Sequence, residues 1–263
     1  MSILSGRVLL TGASGGIGQA VARAVAPISS DLILSGRRRE VLEPLAAELG
    51  ARVIVCDLSR REEVGRLAEE AGPVDVLIAN AGMLAGGLLI EFTQGEIDQM
   101  LEVNLRAPIA LARALTPGMV ERRRGHLVFM SSLQGKSATP VASVYCAAKF
   151  GLRGFALALR EDLRRDGVGV SVVLPGFVRD AGMFAYSGAS LPPGVGTRTP
   201  DDVARAVISA IERNRAEVDV APMPLRVGAA IASVAPALSA AVTRRLGSQQ
   251  IAQRIVAGQR DNR

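Results

Sequence analysis

Tryptophan is absent, histidine occurs once, and cysteine and lysine occur only twice each, so several chemistries are closed to this chain at the outset. A single imidazole, His126, all but rules out a histidine-based metal site or a Ser-His-Asp triad. Standing at the head of an apolar run, it reads as a strand-edge residue, and no metal is expected. Cys56 and Cys146 have neither the number nor the spacing of a disulfide framework or a zinc pattern. Aromatic side chains make up 3% of the 263 residues, so Ala, Val, Leu and Ile must fill the core; the 49% hydrophobic content is ample for that. The N-terminus, Met1-Ser2-Ile3-Leu4-Ser5-Gly6-Arg7, lacks the sections of a signal peptide and runs straight into a strand, which implies a cytoplasmic, reducing location. The net charge of +6 comes from arginines scattered along helices rather than gathered with aromatics, so no nucleic-acid partner is expected.

What is present begins with the rarest basic residue. Lys136 and Lys149 are the only lysines among 31 basic residues, and Lys149 follows Tyr145 by four positions. That spacing puts both side chains on one helix face, a turn apart. A phenol titrates near 10, and bringing it to about 7 requires roughly 4 kcal/mol. An ammonium about 4 Å away, at an effective dielectric near 20, supplies about that much. Lys149 is therefore expected to lower the pKa of Tyr145.

Six apolar runs alternate with helical patterns. Arg7 to Thr11 reads as a buried parallel strand and leads into Thr11-Gly12-Ala13-Ser14-Gly15-Gly16-Ile17-Gly18, with a helical pattern over Gln19 to Ala26. Glycine at 12, 16 and 18 lets the backbone turn tightly and approach a pyrophosphate, whose charge suits the helix N-terminus beyond. Asp31 to Ser35 forms the second strand. An NAD site usually carries an acid there, whereas this chain continues Gly36-Arg37-Arg38, and Arg37 and Arg38 suit a ribose 2′-phosphate. NADP(H) is thus favoured, with NAD(H) possible.

The third strand, Arg52 to Cys56, ends at Asp57 and Leu58, where the carboxylate either accepts from an adenine amino group or caps the next helix. The fourth, Val74 to Ala79, closes on Asn80-Ala81-Gly82, small residues that either admit a ribose or merely form a turn. A helical pattern over Thr93 to about Arg123 contains Asn104, an unusual residue for a helix interior. His126 to Met130 is the fifth strand, followed by Ser131-Ser132. Tyr145 to about Arg165 is helical, and Gly169 to Leu174 is the sixth strand, followed by Pro175-Gly176-Phe177-Val178. The alternation predicts a single Rossmann-type α/β domain, a doubly wound parallel sheet with helices on both faces.

Over roughly residues 5–220 these motifs resemble the short-chain dehydrogenase/reductase family. The likeness rests on T-G-x-x-x-G-x-G at Thr11 to Gly18, Asp57, N-A-G at Asn80 to Gly82, Asn104, Ser132, Tyr145, Lys149, and P-G at Pro175-Gly176. Ser132 precedes Tyr145 by 13 residues and Asn104 precedes it by 41. The resemblance implies that Tyr145 is the general acid/base and that Ser132 hydrogen-bonds the reacting oxygen. It implies that Lys149 also holds the nicotinamide ribose and that Asn104 anchors a water linking Lys149 to solvent. Gly12, Ser14, Gly16, Ile17 and Gly18 would meet the cofactor, as would Arg37, Arg38, Asp57, Leu58, Asn80, Ala81, Gly82, Tyr145, Lys149, Pro175, Gly176 and Val178. A homodimer or homotetramer paired through the two long helices is implied as well. The chain departs from the family's P-G-x-V-x-T by carrying Asp180 at the threonine position, which would repel a pyrophosphate unless Arg179 or another donor pairs it.

Residues 181–199, with Met183, Phe184, Tyr186 and Leu191, suit a lid over an apolar carbonyl or alcohol substrate, and equally an ordinary surface loop. Residues 1–220 are expected to form the catalytic domain and 221–263 a helical extension. Val227 to Val242 is apolar, interrupted by Pro236, flanked by arginines and too short to span a bilayer. It reads first as a helix over the site mouth or a subunit interface, then as a peripheral membrane contact. Arg160, Arg164 and Arg165 either greet an acidic acyl carrier, favouring a 3-oxoacyl thioester substrate, or form a solvated helix face. Besides an NADP(H)-dependent reductase, an NAD(H)-dependent alcohol dehydrogenase and a cofactor-binding sensor without turnover remain open.

Overall fold

A computed structural model describes residues 2–83, 86–185, 191 and 195–245. Tyr186 and the middle of the expected lid, like the tail beyond Arg245, lie outside the described residues. Seven parallel strands form one sheet: β1 (Arg7–Thr11), β2 (Asp31–Gly36), β3 (Arg52–Val55), β4 (Val76–Ala79), β5 (Gly125–Met130), β6 (Val168–Pro175) and β7 (Glu217–Val220). Their order is β3-β2-β1-β4-β5-β6-β7. The order reverses between β1 and β4, where Leu9 lies beside both Ile33 and Leu77, so a crevice opens at the carboxyl ends of those strands.

Two apolar layers sandwich the sheet because successive strand residues face opposite ways. Val8 and Leu10 join one layer with α1 (Gly16–Val25), α2 (Arg39–Leu49) and, further along, Val203 and Val207; Leu9 joins the other, with α3 (Arg61–Ala71). That second layer is completed by α5 and α6, defined below. β5 and β6 are buried along their whole length, as strands covered on both faces must be.

The pattern over Thr93–Arg123 resolves into α4 (Gln94–Leu101), a π-helical turn at Glu102–Arg106 and α5 (Ala107–Glu121). Thr93 caps α4 through its hydroxyl, with Glu96 returning to the Thr93 N–H. α6 (Ser143–Asp162) carries Tyr145 in its first turn. A short helix α7 (Gly182–Ala185), then α8 (Pro200–Glu212), α9 (Met223–Val234) and α10 (Pro236–Arg245) follow. Six strands were legible in the sequence; β7, reading Glu-Val-Asp-Val, was not, because half its residues are carboxylates that only tertiary partners neutralise.

Two local expectations change. His126 lies in a central strand rather than at an edge, buried, its Nε2 2.9 Å from Ser171 Oγ. Burial and the Arg160 charge push its pKa down to about 4, so it is a neutral core residue. Arg160 is not a free solvated charge: it donates to Val170 O, Asn214 Oδ1 and Asn214 O, each at 2.7 Å. That fastens α6 to the turn before β7.

Candidate active site

The crevice is a cavity of about 340 Å³, within the range of small-molecule sites. Every residue expected to touch a cofactor lines it, as does Ser132; Asn104 does not.

The glycines form a floor that side chains would fill. Gly12 has φ +67°, and a Cβ there would stand 2.6 Å from Ala81 Cα; one on Gly18 would stand 2.2 Å from Gly12 O. A Cβ on Gly16 would come within 2.5 Å of Ala181 Cβ. Gly16, Ile17 and Gly18 form the first turn of α1, where N–H groups have no intrahelical acceptor. Such a cradle fits the pyrophosphate of a dinucleotide. Asn80 closes it from β4, donating to Thr11 O at 3.1 Å and Gly12 O at 3.2 Å, while Ala81 N–H donates to Thr11 Oγ1.

At the far end of β2, Arg37 and Arg38 are exposed at the rim. Arg38 Nη2 donates to Ser14 O at 2.6 Å. Asp57 Oδ1 accepts from Ser59 N–H at 3.0 Å and Ser59 Oγ at 2.8 Å, so it organises a turn as well as lining the cavity. Burial opposes its ionisation, but those bonds and the charges of Arg37 and Arg60 hold the Asp57 pKa below its ordinary value. Asp180 sits outside the cavity lining, exposed at φ +66°, and pairs with Arg179 at 3.4 Å. The repulsion anticipated from the sequence is therefore absorbed by its neighbour.

At the inner end Tyr145 is buried beside Met100 and Val144. Ser132 hydrogen-bonds its phenol, donates to Pro175 O at 3.4 Å and accepts from Gln134 N–H at 3.1 Å. Lys149 is buried, with Nζ donating to Met130 O at 3.0 Å and lying 5.5 Å from the centre of the Tyr145 ring. One sequence-derived expectation is corrected here. Burial pushes the Tyr145 phenol up, against the pull of Ser132, and pushes Lys149 down to about 8. The attraction between ammonium and phenolate is offset by the cost of burying either charge, which spacing along the chain does not show.

Asn104 is buried in the π-helical turn. Its Nδ2 donates to Met83 O at 2.7 Å and Met100 O at 3.0 Å, and its Oδ1 accepts from Met83 N–H at 3.3 Å. These three bonds to the backbone make Asn104 a brace for the segment after Gly82. Met83, Val103, Met130 and Phe184 also line the cavity and were not singled out beforehand as site residues. Their plain apolar character offered no signal, although Phe184 fell within the expected lid.

The family model for short chain dehydrogenase matches residues 7–191. This chain belongs to the short-chain dehydrogenase/reductase family. Among its relatives it is 37% identical over 235 residues to ketoacyl reductase HetN of Nostoc sp., covering 86% of this chain and 82% of that protein. It is 35% identical over 173 residues to 3-oxoacyl-[acyl-carrier-protein] reductase FabG of Rickettsia felis, covering 65% and 72%. A metagenomic short-chain oxidoreductase solved in complex with NADP superimposes with a TM-score of 0.71 at 34% identity, over 84% of this chain and all of that one. As a short-chain dehydrogenase/reductase the protein is an NAD(P)-dependent oxidoreductase. Among the described residues no helix is long and apolar enough to cross a membrane.

Proposed function

We propose that this enzyme reduces the carbonyl of an apolar substrate with NADPH, Tyr145 delivering the proton. The observation that carries the reading is the convergence of Ser132, Tyr145 and Lys149 at the inner end of a cavity whose outer end is a glycine cradle rimmed by arginines. A dinucleotide held by that cradle would supply the hydride from its nicotinamide. Gly12, Ser14 and the first turn of α1 would hold the pyrophosphate, and Arg37 and Arg38 the 2′-phosphate. Pro175, Gly176 and Val178 would meet the nicotinamide end.

Ser132 donates to the carbonyl oxygen as negative charge develops there, and Tyr145 transfers its phenolic proton to the same oxygen. A phenol held up by burial is a good store for that proton before reaction. The Lys149 ammonium, whose Nζ lies 5.5 Å from the centre of the Tyr145 ring, then stabilises the phenolate left behind. Met83, Val103 and Phe184 give the inner cavity an apolar wall. Kinship to proteins described as ketoacyl and 3-oxoacyl reductases supports a 3-oxoacyl chain as the first substrate to try.

The test is NADPH oxidation with a panel of 3-oxoacyl esters and aliphatic ketones, comparing wild type with Tyr145→Phe and Ser132→Ala. Turnover by wild type, falling at least a hundredfold in Tyr145→Phe with NADPH affinity retained, is the expected result. Tight NADPH binding with no turnover of any carbonyl in the panel would move the reading to a cofactor-binding sensor.

A further inference from the structure

We propose that α9 is a docking face for an anionic lipid surface. The helix is amphipathic the wrong way round for a chain standing alone. It buries its small residues, Ala229 and Ala232, and exposes large apolar ones: Met223 at 62%, Val227 at 50%, Ile231 at 44% and Val234 at 83%. At 3.6 residues per turn those four side chains fall within an arc of about 80°, one continuous stripe. Nothing among the described residues covers it. A helix with its larger side chains outward gains little from its own core and much from an external apolar phase.

A second exposed apolar stretch is Leu88-Leu89-Ile90. Gly87 N–H donates to Val141 O at 2.8 Å, mooring this stretch to the segment that runs from Ser132 to α6. α9 packs against the Leu133–Gly135 turn of that segment. Both patches are therefore attached to the segment between Ser132 and α6, α9 near its start and Leu88–Ile90 near its end. Glu91, the acid next to Ile90, is turned back onto the Leu88 N–H at 2.8 Å.

Charge selects the occupant. Residues 221–263 contain six arginines (226, 244, 245, 254, 260 and 263) and one acid, Asp261, and so carry five of the six net positive charges of the whole chain. Such a segment is drawn to an anionic interface. The same excess on a second copy of this chain would repel it, so self-pairing through α9 is disfavoured. With no described helix able to span a bilayer, the contact lies in the interfacial plane. A lipid surface there would bring a membrane-held apolar substrate to the Ser132 side of the enzyme.

The experiment is flotation of the full-length protein with phosphatidylcholine vesicles containing roughly a third phosphatidylglycerol, beside vesicles of phosphatidylcholine alone. Wild type is expected to float with the anionic vesicles only, and the bound fraction to fall on raising salt. Val227→Asp with Ile231→Asp is expected to cut the bound fraction roughly tenfold, with NADPH affinity unchanged because neither residue lines the cavity. Failure of wild type to float with anionic vesicles overturns the proposal. So does a wild-type dimer that the same double substitution converts to monomer, since the stripe would then be covered by a second copy. Neither readout depends on turnover, so the result stands apart from the fate of the reductase reading.

Discussion

Lys149 and Tyr145 are neighbours whose burial drives both toward their neutral forms, the ammonium donating to Met130 O while the phenol bonds Ser132. A lysine whose folded pKa is depressed to about 8 binds fewer protons than the unfolded chain between there and its ordinary value near 10.5. Stability therefore rises with pH through that window and is lost as pH falls toward 8. Tyr145 acts in the opposite sense, but only above its ordinary value of about 10. Denaturant midpoints at pH 7 and pH 9 should show wild type gaining about 1 kcal/mol relative to Lys149→Met. A difference that stays flat over this range would mean that the ammonium is not buried at a cost.

Arg37 and Arg38 provide the test of cofactor choice. Both are exposed at the rim, and Arg38 is steered by Ser14 O, so removing them should leave the fold intact. The Arg37→Ala, Arg38→Ala double variant is expected to weaken NADPH binding roughly ten- to hundredfold, the worth of one or two charge-assisted hydrogen bonds. NADH affinity should change by less than about threefold, as the contacts it loses are not charge-paired. Fluorescence titration reads both. Tighter NADH than NADPH binding by wild type would instead favour the alcohol-oxidising alternative.

Lys136, the other lysine, ties the turn after Ser132 to β7. Buried, it pairs with Glu217 at 2.5 Å and Asp219 at 2.7 Å on β7, and Glu217 also pairs with Arg153 of α6. One carboxylate thus ties the turn after Ser132 to the helix that carries Tyr145. Burial opposes ionisation of Glu217, but the bonds from Arg153 and Lys136 keep its pKa below the ordinary value. Lys136→Met would leave two carboxylates facing each other with one cation lost, at about 3 kcal/mol in thermal or chemical unfolding. Lys136→Arg should recover most of it. In the proposed reductase assay the Met variant should lose kcat with little change in NADPH affinity; equal losses in both would point to general unfolding.

How far the sequence could be read depends on whether a residue's neighbours are close along the chain. The Gly12–Gly18 run declared its role because its neighbours in space, Ala81 and the first turn of α1, are held by motifs equally visible in the chain. The Thr93–Arg123 pattern read as one helix, since a π turn leaves the apolar periodicity almost untouched; Asn104 bonding to Met83, 21 positions away, is what fixes its place. β7 was illegible because Glu217 and Asp219 make sense only beside Lys136 and Arg153.

The sequence by itself determined the family, the alternation of strands and helices, and the glycine, polar and charged residues that line the crevice, because those are set by local periodicity and by side-chain types at fixed spacings. Only the tertiary structure decided the directions in which burial moves Tyr145 and Lys149, the brace made by Asn104, the charge cluster on β7 and the outward apolar stripe of α9. Each of these depends on burial, and burial is a property of the packed molecule that no spacing along the chain records.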